Sequence, residues 1–242
     1  MRVLAGRYRL QAPIGAGGMA TVWRAYDSVL RRPVAVKLLS PESAKDPRYG
    51  RAVRREALAA ARLCHPHIAA VHDYGEIVHD GVPMPYIVME LIDGDTLAAR
   101  LADPGLQWTD AAAICADVAA AMAAAHAGVL VHRDIKPGNI MLSETGVKVV
   151  DFGVAAPCGA DPAVDGQIWG TPTYLAPEQL DNGQAVPAGD VYALGVMLYE
   201  IFAGRPPWPG ATGPEVLEQR RRTPTPPWPG PPGIRTCWSP SW

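Results

Sequence analysis

Long hydrophobic runs are missing from this sequence. No stretch of about 18 consecutive apolar residues occurs, so no segment is expected to span a bilayer, and residues 1–30 hold no signal-peptide core. Cysteine is sparse: Cys64, Cys115, Cys158 and Cys237 are scattered without CxxC spacing. A chain of 242 residues can bury enough surface to do without disulfide staples, so a reducing, cytoplasmic setting is expected. An excess of basic charge is also lacking, with 22 Lys and Arg against 24 Asp and Glu and a formal net charge of -2. That balance argues against nucleic acid as a partner, and any anion binding must be local. Lysine is rare: Lys37, Lys45, Lys136 and Lys148 stand against 18 arginines. No internal repeat is evident.

What is present is a globular composition, 48% hydrophobic, in two textures. The first 92 residues read mainly as strands, with one Arg- and Ala-rich helix between Pro47 and Leu63. Val34 to Leu39 is a β-branched run stopped by Ser40-Pro41, and Tyr86 to Met89 is a continuous apolar run of the buried-strand kind. Helical patterns follow. Thr109 is a candidate N-cap for an Ala-rich helix to about Ala127, with Ile114, Val118 and Met122 on one face and Gly128 as its stop. A second helix, roughly Gly189 to Ala203, is apolar nearly all round and is expected inside. After Trp208 one short helix, Pro214 to Arg221, precedes a tail in which prolines remove backbone donors throughout; eleven of the 25 prolines fall in residues 206–242.

The chemistry-bearing segments begin with Ile14-Gly15-Ala16-Gly17-Gly18-Met19-Ala20-Thr21-Val22. Its glycines would let a hairpin backbone approach phosphate oxygens, with Val22 covering a flat base; an ordinary turn is the bland alternative. The segment is not of the GxxxxGK[ST] type and precedes a strand, which disfavours a P-loop or a dinucleotide fold. Lys37 lies in an apolar strand, where an ammonium group needs an anion or an exit to solvent. Glu56 on the following helix is a candidate counter-ion, unless both residues sit on solvated faces. The sharpest segment is Val131-His132-Arg133-Asp134-Ile135-Lys136-Pro137-Gly138-Asn139-Ile140, followed by Asp151-Phe152-Gly153. Its acid, lysine and amide, with a second acid after a short hairpin, could converge on a metal-bound phosphate. Phosphoryl transfer requires such groups: metal ligands, a cation and an acceptor for the nucleophile's proton.

Taken in order, these segments resemble the protein-kinase signature, and in spacing and wording are most similar to bacterial Hanks-type serine/threonine kinases. The resemblance runs from Gly6-Arg7-Tyr8 to Trp208. It implies an α+β, bilobal fold, with a β-rich N-lobe over 1–92, a mainly helical but incomplete C-lobe over 93–222, and a disordered tail over 223–242. It implies an enzyme that transfers the γ-phosphate of ATP, with Mg²⁺ or alternatively Mn²⁺, to Ser or Thr hydroxyls of protein substrates. Lys37 would hold the α- and β-phosphates, oriented by Glu56. Asp134 would accept the hydroxyl proton, Lys136 would neutralise the γ-phosphate, and Asn139 and Asp151 would hold the metal. Ile14, Gly15, Gly17, Gly18, Val22 and Ala35 would enclose the nucleotide, with Met89 as gatekeeper and backbone groups from Glu90 to Ile92 at the adenine. Thr171, in Gly170-Thr171-Pro172-Thr173-Tyr174-Leu175-Ala176-Pro177-Glu178, would contact Asp134 and Lys136, and Asp190 would anchor the catalytic loop. Two copies could pair through the N-lobe, as some relatives do.

Three departures from that pattern stand out. Ala20 replaces a third glycine, as is familiar in the bacterial subgroup. No Ser or Thr lies between Asp151 and Gly170, where relatives usually phosphorylate themselves; either Asp161 or Asp165 is the substitute anion for Arg133, or control lies elsewhere. The helices that supply an arginine partner to Glu178 in relatives are not recognisable, and an unpaired buried carboxylate would cost about 3–5 kcal/mol. A truncated or frameshifted reading frame is the expected explanation, and a nucleotide-binding module without catalysis is the rival function.

Overall fold

The computed structural model describes residues 3–17, 19–102, 106, 108–152, 156–157, 171–181, 184–208, 210, 213–223 and 226–227. Its N-terminal part is built on a six-stranded antiparallel sheet of β1 (Val3–Leu4), β2 (Tyr8–Ala16), β3 (Ala20–Asp27), β4 (Arg32–Leu39), β5 (Val71–His79) and β6 (Val82–Met89). The strand order is β1-β2-β3-β4-β6-β5. The two runs that read as buried strands are neighbours, β4 and β6, and Val34, Val36, Ile87 and Val88 are each at most 1% exposed. Two helices follow β4: α1 (Pro41–Ala44), capped by the Ser40 side chain, and α2 (Pro47–Ala60), capped by the Asp46 side chain with Pro47 in its first turn. Val53, Glu56, Ala57 and Ala60 recur at helical spacing and are buried. The apolar stripe of α2 therefore carries Glu56 inward, while Arg51, Arg54 and Arg55 stay exposed.

The far end of the sheet is tied by charge. Arg7 grips the Asp27 carboxylate with Nε at 2.8 Å and Nη2 at 2.7 Å, and Asp27 also accepts the Val29 and Leu30 backbone N–H groups. Arg7 Nη1 lies 3.4 Å from Asp73, which accepts the Tyr8 hydroxyl at 2.5 Å. Hydrogen bonding to the guanidinium holds the Asp27 carboxyl well below the usual range.

The remainder is mainly helical. A three-stranded sheet of β7 (Gly94–Thr96), β9 (Ile140–Ser143) and β10 (Gly146–Val149), in the order β10-β9-β7, lies beside α3 (Leu97–Ala102) and α4 (Trp108–Ala127). The short strands β8 (Leu130–Val131) and β11 (Ala156–Pro157) pair with each other. α5 (Pro177–Asp181), α6 (Pro187–Ala203) and α7 (Gly213–Arg222) complete the described elements. α4 begins at Trp108, so Thr109 lies within its first turn rather than capping it. The helix is long and apolar enough by composition to cross a bilayer, but Ile114, Val118, Ala121, Met122 and Ala125 pack into one core with Ala193 and Met197 of α6.

α6 is less enclosed than its composition suggests. Ala193, Val196 and Met197 form its buried face, whereas Val191 is 62% exposed. Of the tail expected over 223–242, only Thr223, Pro226 and Pro227 lie among the described residues.

The end of α4 holds an unexpected conformation. The Gly128 N–H bonds the Ala124 carbonyl, but it is Val129 that takes the left-handed backbone, at φ 59°, with its side chain 60% exposed. A β-branched residue there costs roughly 1–2 kcal/mol, partly offset on replacement by the greater unfolded-state freedom of glycine. Val129→Gly is expected to raise the melting temperature by about 1–3 °C, read by circular dichroism or differential scanning fluorimetry. A lower melting temperature would show that Val129 makes a contact worth more than its strain.

Candidate active site

The segment from His132 to Asn139 is fastened from below by one buried carboxylate. Asp190, near the start of α6 and 1% exposed, accepts the backbone N–H groups of His132 and Arg133, each at 2.8 Å, and lies 2.8 Å from His126 Nε2 at the end of α4. The fully buried His132 ring packs against Phe152 at a tilt of 54°, with centroids 4.6 Å apart. Arg133 and Asp151 take positive φ values of 70° and 63°, sparsely populated for such residues, on either side of this packing.

Above that base, Asp134 is the centre of a closed polar set. Its Oδ1 accepts the Thr171 N–H at 3.0 Å and hydroxyl at 2.9 Å; its Oδ2 accepts Lys136 Nζ at 2.7 Å and Asn139 Nδ2 at 3.0 Å. Lys136 Nζ also donates to the Thr171 hydroxyl at 2.8 Å, and Asn139 Nδ2 to the Asp134 carbonyl at 2.8 Å. The Asn139 amide nitrogen is thus spent on Asp134, which leaves its oxygen as the acceptor.

Lys37 of β4 donates to both Glu56 oxygens, at 2.9 and 3.1 Å, and to Asp151 Oδ1 at 2.6 Å. The alternative of two solvated faces is excluded, since the Lys37 and Glu56 side chains are only 14% and 6% exposed. Burial would lower the Lys37 pKa, but Glu56 and Asp151 outweigh it and hold the ammonium charged. Burial pushes the Glu56 carboxyl up to about 7, against the opposing pull of Lys37.

β3 pairs with β4 so that Val22 lies opposite Lys37, next to the turn joining β2 and β3. Gly15 pairs with Val22, and the Gly17 N–H bonds the Ala20 carbonyl at 2.9 Å; Gly18 lies outside the described residues. Ile14 is half exposed, whereas Ala35 is buried and pairs with Met89. The Glu90 N–H turns away to the Ala70 carbonyl at 2.8 Å. Behind Met89 a small cleft is lined by Glu56, Ala60, Val71, Ile87, Val150 and Phe152. Ile92 is partly buried just beyond β6.

Sequence reading missed several contributors. The Glu90 carboxylate is held by Lys148 at 2.9 Å and accepts the Ala70 N–H at 3.2 Å, which joins the segment after β6 to the strand leading into Asp151. His126 and Asp190 are 64 residues apart, and nothing local to His126 marks it. One expectation needs correction: Glu178 is exposed, so it carries no buried-charge penalty and requires no arginine. The loop before it is instead held by Arg220 of α7, whose Nη1 and Nη2 donate to the Leu175 and Thr173 carbonyls. Asp161, Asp165 and Gly170 lie outside the described residues.

A buried lysine-glutamate pair next to one exposed carboxylate, with a second acid, lysine and amide close by, supplies the kinds of group that phosphoryl transfer requires. Comparison with known proteins identifies the family. Residues 8–229 match the family described as protein kinase domain. The chain is 44% identical over 238 residues to the serine/threonine-protein kinase PknA of Mycobacterium tuberculosis, covering 96% of this chain and 55% of that protein. It is 43% identical over 213 residues to the probable serine/threonine-protein kinase PknB of Corynebacterium glutamicum, covering 86% and 33%. It is also 43% identical over 223 residues to PknB of Mycobacterium leprae, covering 90% and 36%. The chain thus spans about half the length, or less, of the curated relatives it matches. Its β-rich N-terminal part and mainly helical remainder are those of a protein kinase domain, and the chain belongs to that family.

Proposed function

We propose that this chain catalyses transfer of the γ-phosphate of ATP to serine or threonine hydroxyls of proteins. The observation that carries the reading is that Lys136 bridges Asp134 and Thr171 while Lys37 bridges Glu56 and Asp151, so both cationic centres are in place together. The family implies ATP and a divalent cation, and the donors fit a hard ion: the Asp151 carboxylate and the Asn139 amide oxygen are both oxygen ligands, which suits Mg²⁺ and also Mn²⁺. Mg²⁺-ATP would supply the transferable phosphoryl group and neutralise its charge.

The chain's own groups would do the rest. Lys37, held by Glu56, orients the α- and β-phosphates. Gly15, Gly17 and Gly18 let the β2–β3 turn approach them, while Ile14, Val22, Ala35 and Met89 enclose the base beside the Glu90–Ile92 backbone. Asp134 accepts the proton of the incoming hydroxyl, and Lys136 stabilises charge developing on the γ-phosphate. Thr171 positions the acceptor through its bonds to both. A need for ATP supports a cytoplasmic setting for the reaction. The exposed Val29 and Leu30, 65% and 56% accessible at the sheet end carrying the Arg7–Asp27 pair, support pairing of two copies through the N-lobe.

The test is ATP turnover with Mg²⁺ onto a generic basic protein, read as phosphate incorporated, alongside the ATP-induced rise in melting temperature. Transfer together with stabilisation is expected. Stabilisation without transfer would replace this reading with a nucleotide-binding module that has no catalysis.

A further inference from the structure

Arg220 sits on α7, outside every segment that carries the reaction, yet its guanidinium reaches back to the loop that holds Thr171. Nη1 donates to the Leu175 carbonyl at 2.5 Å and Nη2 to the Thr173 carbonyl at 2.7 Å. The same guanidinium lies 5.2 Å from the Trp208 ring centroid and 5.5 Å from that of Tyr192 on α6. Both distances are within cation–π range. α7 is fixed close by, through the fully buried Val216 and through the Trp208 indole N–H, which donates to the Thr223 carbonyl at 3.3 Å. The neighbouring cations do something else: Arg221 is exposed, and Arg222 pairs with Glu218 along the helix at 2.6 Å.

The two carbonyls bracket Tyr174. Its N–H donates to the Thr171 carbonyl at 2.9 Å, and its hydroxyl donates to Glu200 of α6 at 2.5 Å. Thr171 gives its N–H and hydroxyl to Asp134 and accepts Lys136. A continuous set of hydrogen bonds therefore runs from the α7 guanidinium, through three residues of backbone, to the carboxylate that meets the acceptor hydroxyl. Both arms of one planar fork are used, a geometry that an ammonium group cannot reproduce.

We propose that Arg220 is a positioning residue for the protein acceptor: it holds the 171–175 loop at the height where an acceptor hydroxyl meets Asp134, without touching nucleotide or phosphate. The proposal rests on the kinase reading above for its effect on turnover, but not for its effect on the loop. Arg220→Lys keeps the charge and much of the stem packing while removing the fork, so the fold is retained. In this variant the KM for a peptide acceptor is expected to rise about tenfold, while the KM for ATP changes by less than about twofold. The exposed Arg221→Ala serves as control and changes neither. Hydrogen exchange gives a readout independent of turnover: the Thr171 and Tyr174 amides are expected to exchange faster in Arg220→Lys, with the Asp190-bonded amides of His132 and Arg133 unchanged. Equal exchange at Thr171 and Tyr174 in variant and wild type would overturn the proposal, as would parallel rises in both KM values. If the wild type transfers no phosphate, the kinase reading fails by itself and the amide exchange alone decides the role of Arg220.

Discussion

Replacing Asp134 with asparagine is expected to lower phosphate transfer by about 10²–10⁴-fold, the range for loss of a positioned general base. The change is nearly isosteric, so shape is kept and chemistry removed. Four donor groups converge on the two carboxylate oxygens: the Thr171 N–H and hydroxyl on Oδ1, Lys136 and Asn139 on Oδ2. An amide retains one acceptor oxygen and sets its own N–H groups against donors on the other side. Folding stability should consequently fall by about 1–3 kcal/mol, while ATP-induced stabilisation persists because Lys37, Glu56 and Asp151 are untouched. The measurement is initial-rate transfer to a peptide, with ATP thermal shift as the binding control. Undiminished turnover in Asp134→Asn would remove Asp134 from the reaction.

A second large effect is expected at Lys37. Lys37→Met keeps the stem in the apolar strand but strands Glu56, whose side chain is only 6% exposed. Breaking a buried pair from one side costs about 3–5 kcal/mol, a large part of the roughly 5–15 kcal/mol that stabilises a domain. The loss carries a pH signature. The folded Glu56 pKa already stands at about 7 because of burial, against roughly 4.3 when unfolded. A carboxyl raised in this way binds more protons folded than unfolded, so stability declines as pH rises through that window. Removing Lys37 takes away the charge that holds the pKa down, which moves the window higher.

Urea midpoints for wild type and Lys37→Met should therefore diverge as pH rises above about 7 and converge toward about pH 5, where the stranded carboxyl is neutral. A gap that is constant with pH would show that lost packing, not a stranded charge, sets the cost. ATP-induced stabilisation should vanish in the variant at every pH, since the same ammonium group is proposed to hold the phosphates.

How much of this was legible in the sequence depends on how local the signal is. His132 to Asn139 is contiguous, so residue types and spacing alone suggest its chemistry, and the structure brings Asp134, Lys136 and Asn139 onto one carboxylate. Lys37 and Glu56 were harder. Each charge by itself is more often solvated, and only the helical rotation set by Val53, Ala57 and Ala60 turns Glu56 inward. Arg220, Lys148 and His126 were not legible, because each works across 45 to 64 residues of separation through a carbonyl or carboxylate with no sequence marker. The left-handed residue after α4 was not marked in the sequence, for a different reason. Gly128 is the obvious candidate by propensity, yet the helix ends at Ala127 as expected and it is the residue after Gly128, Val129, that takes the left-handed backbone. The burial expected for Glu178 failed because a family pairing was assumed before the exposure of the site was known.

The single carboxylate of Asp190 has a consequence for how the molecule comes apart. Because it bonds the backbone of His132 and Arg133 and the ring of His126, the end of α4, the segment after β8 and the start of α6 share one buried carboxylate. None can leave without exposing the others to an unsatisfied group, so this loop should not open by local fraying. Its His132 and Arg133 amides are expected, in hydrogen-exchange terms, to fall in the slowest cooperative unit, so that the segment proposed to carry the chemistry opens no more readily than the core helices.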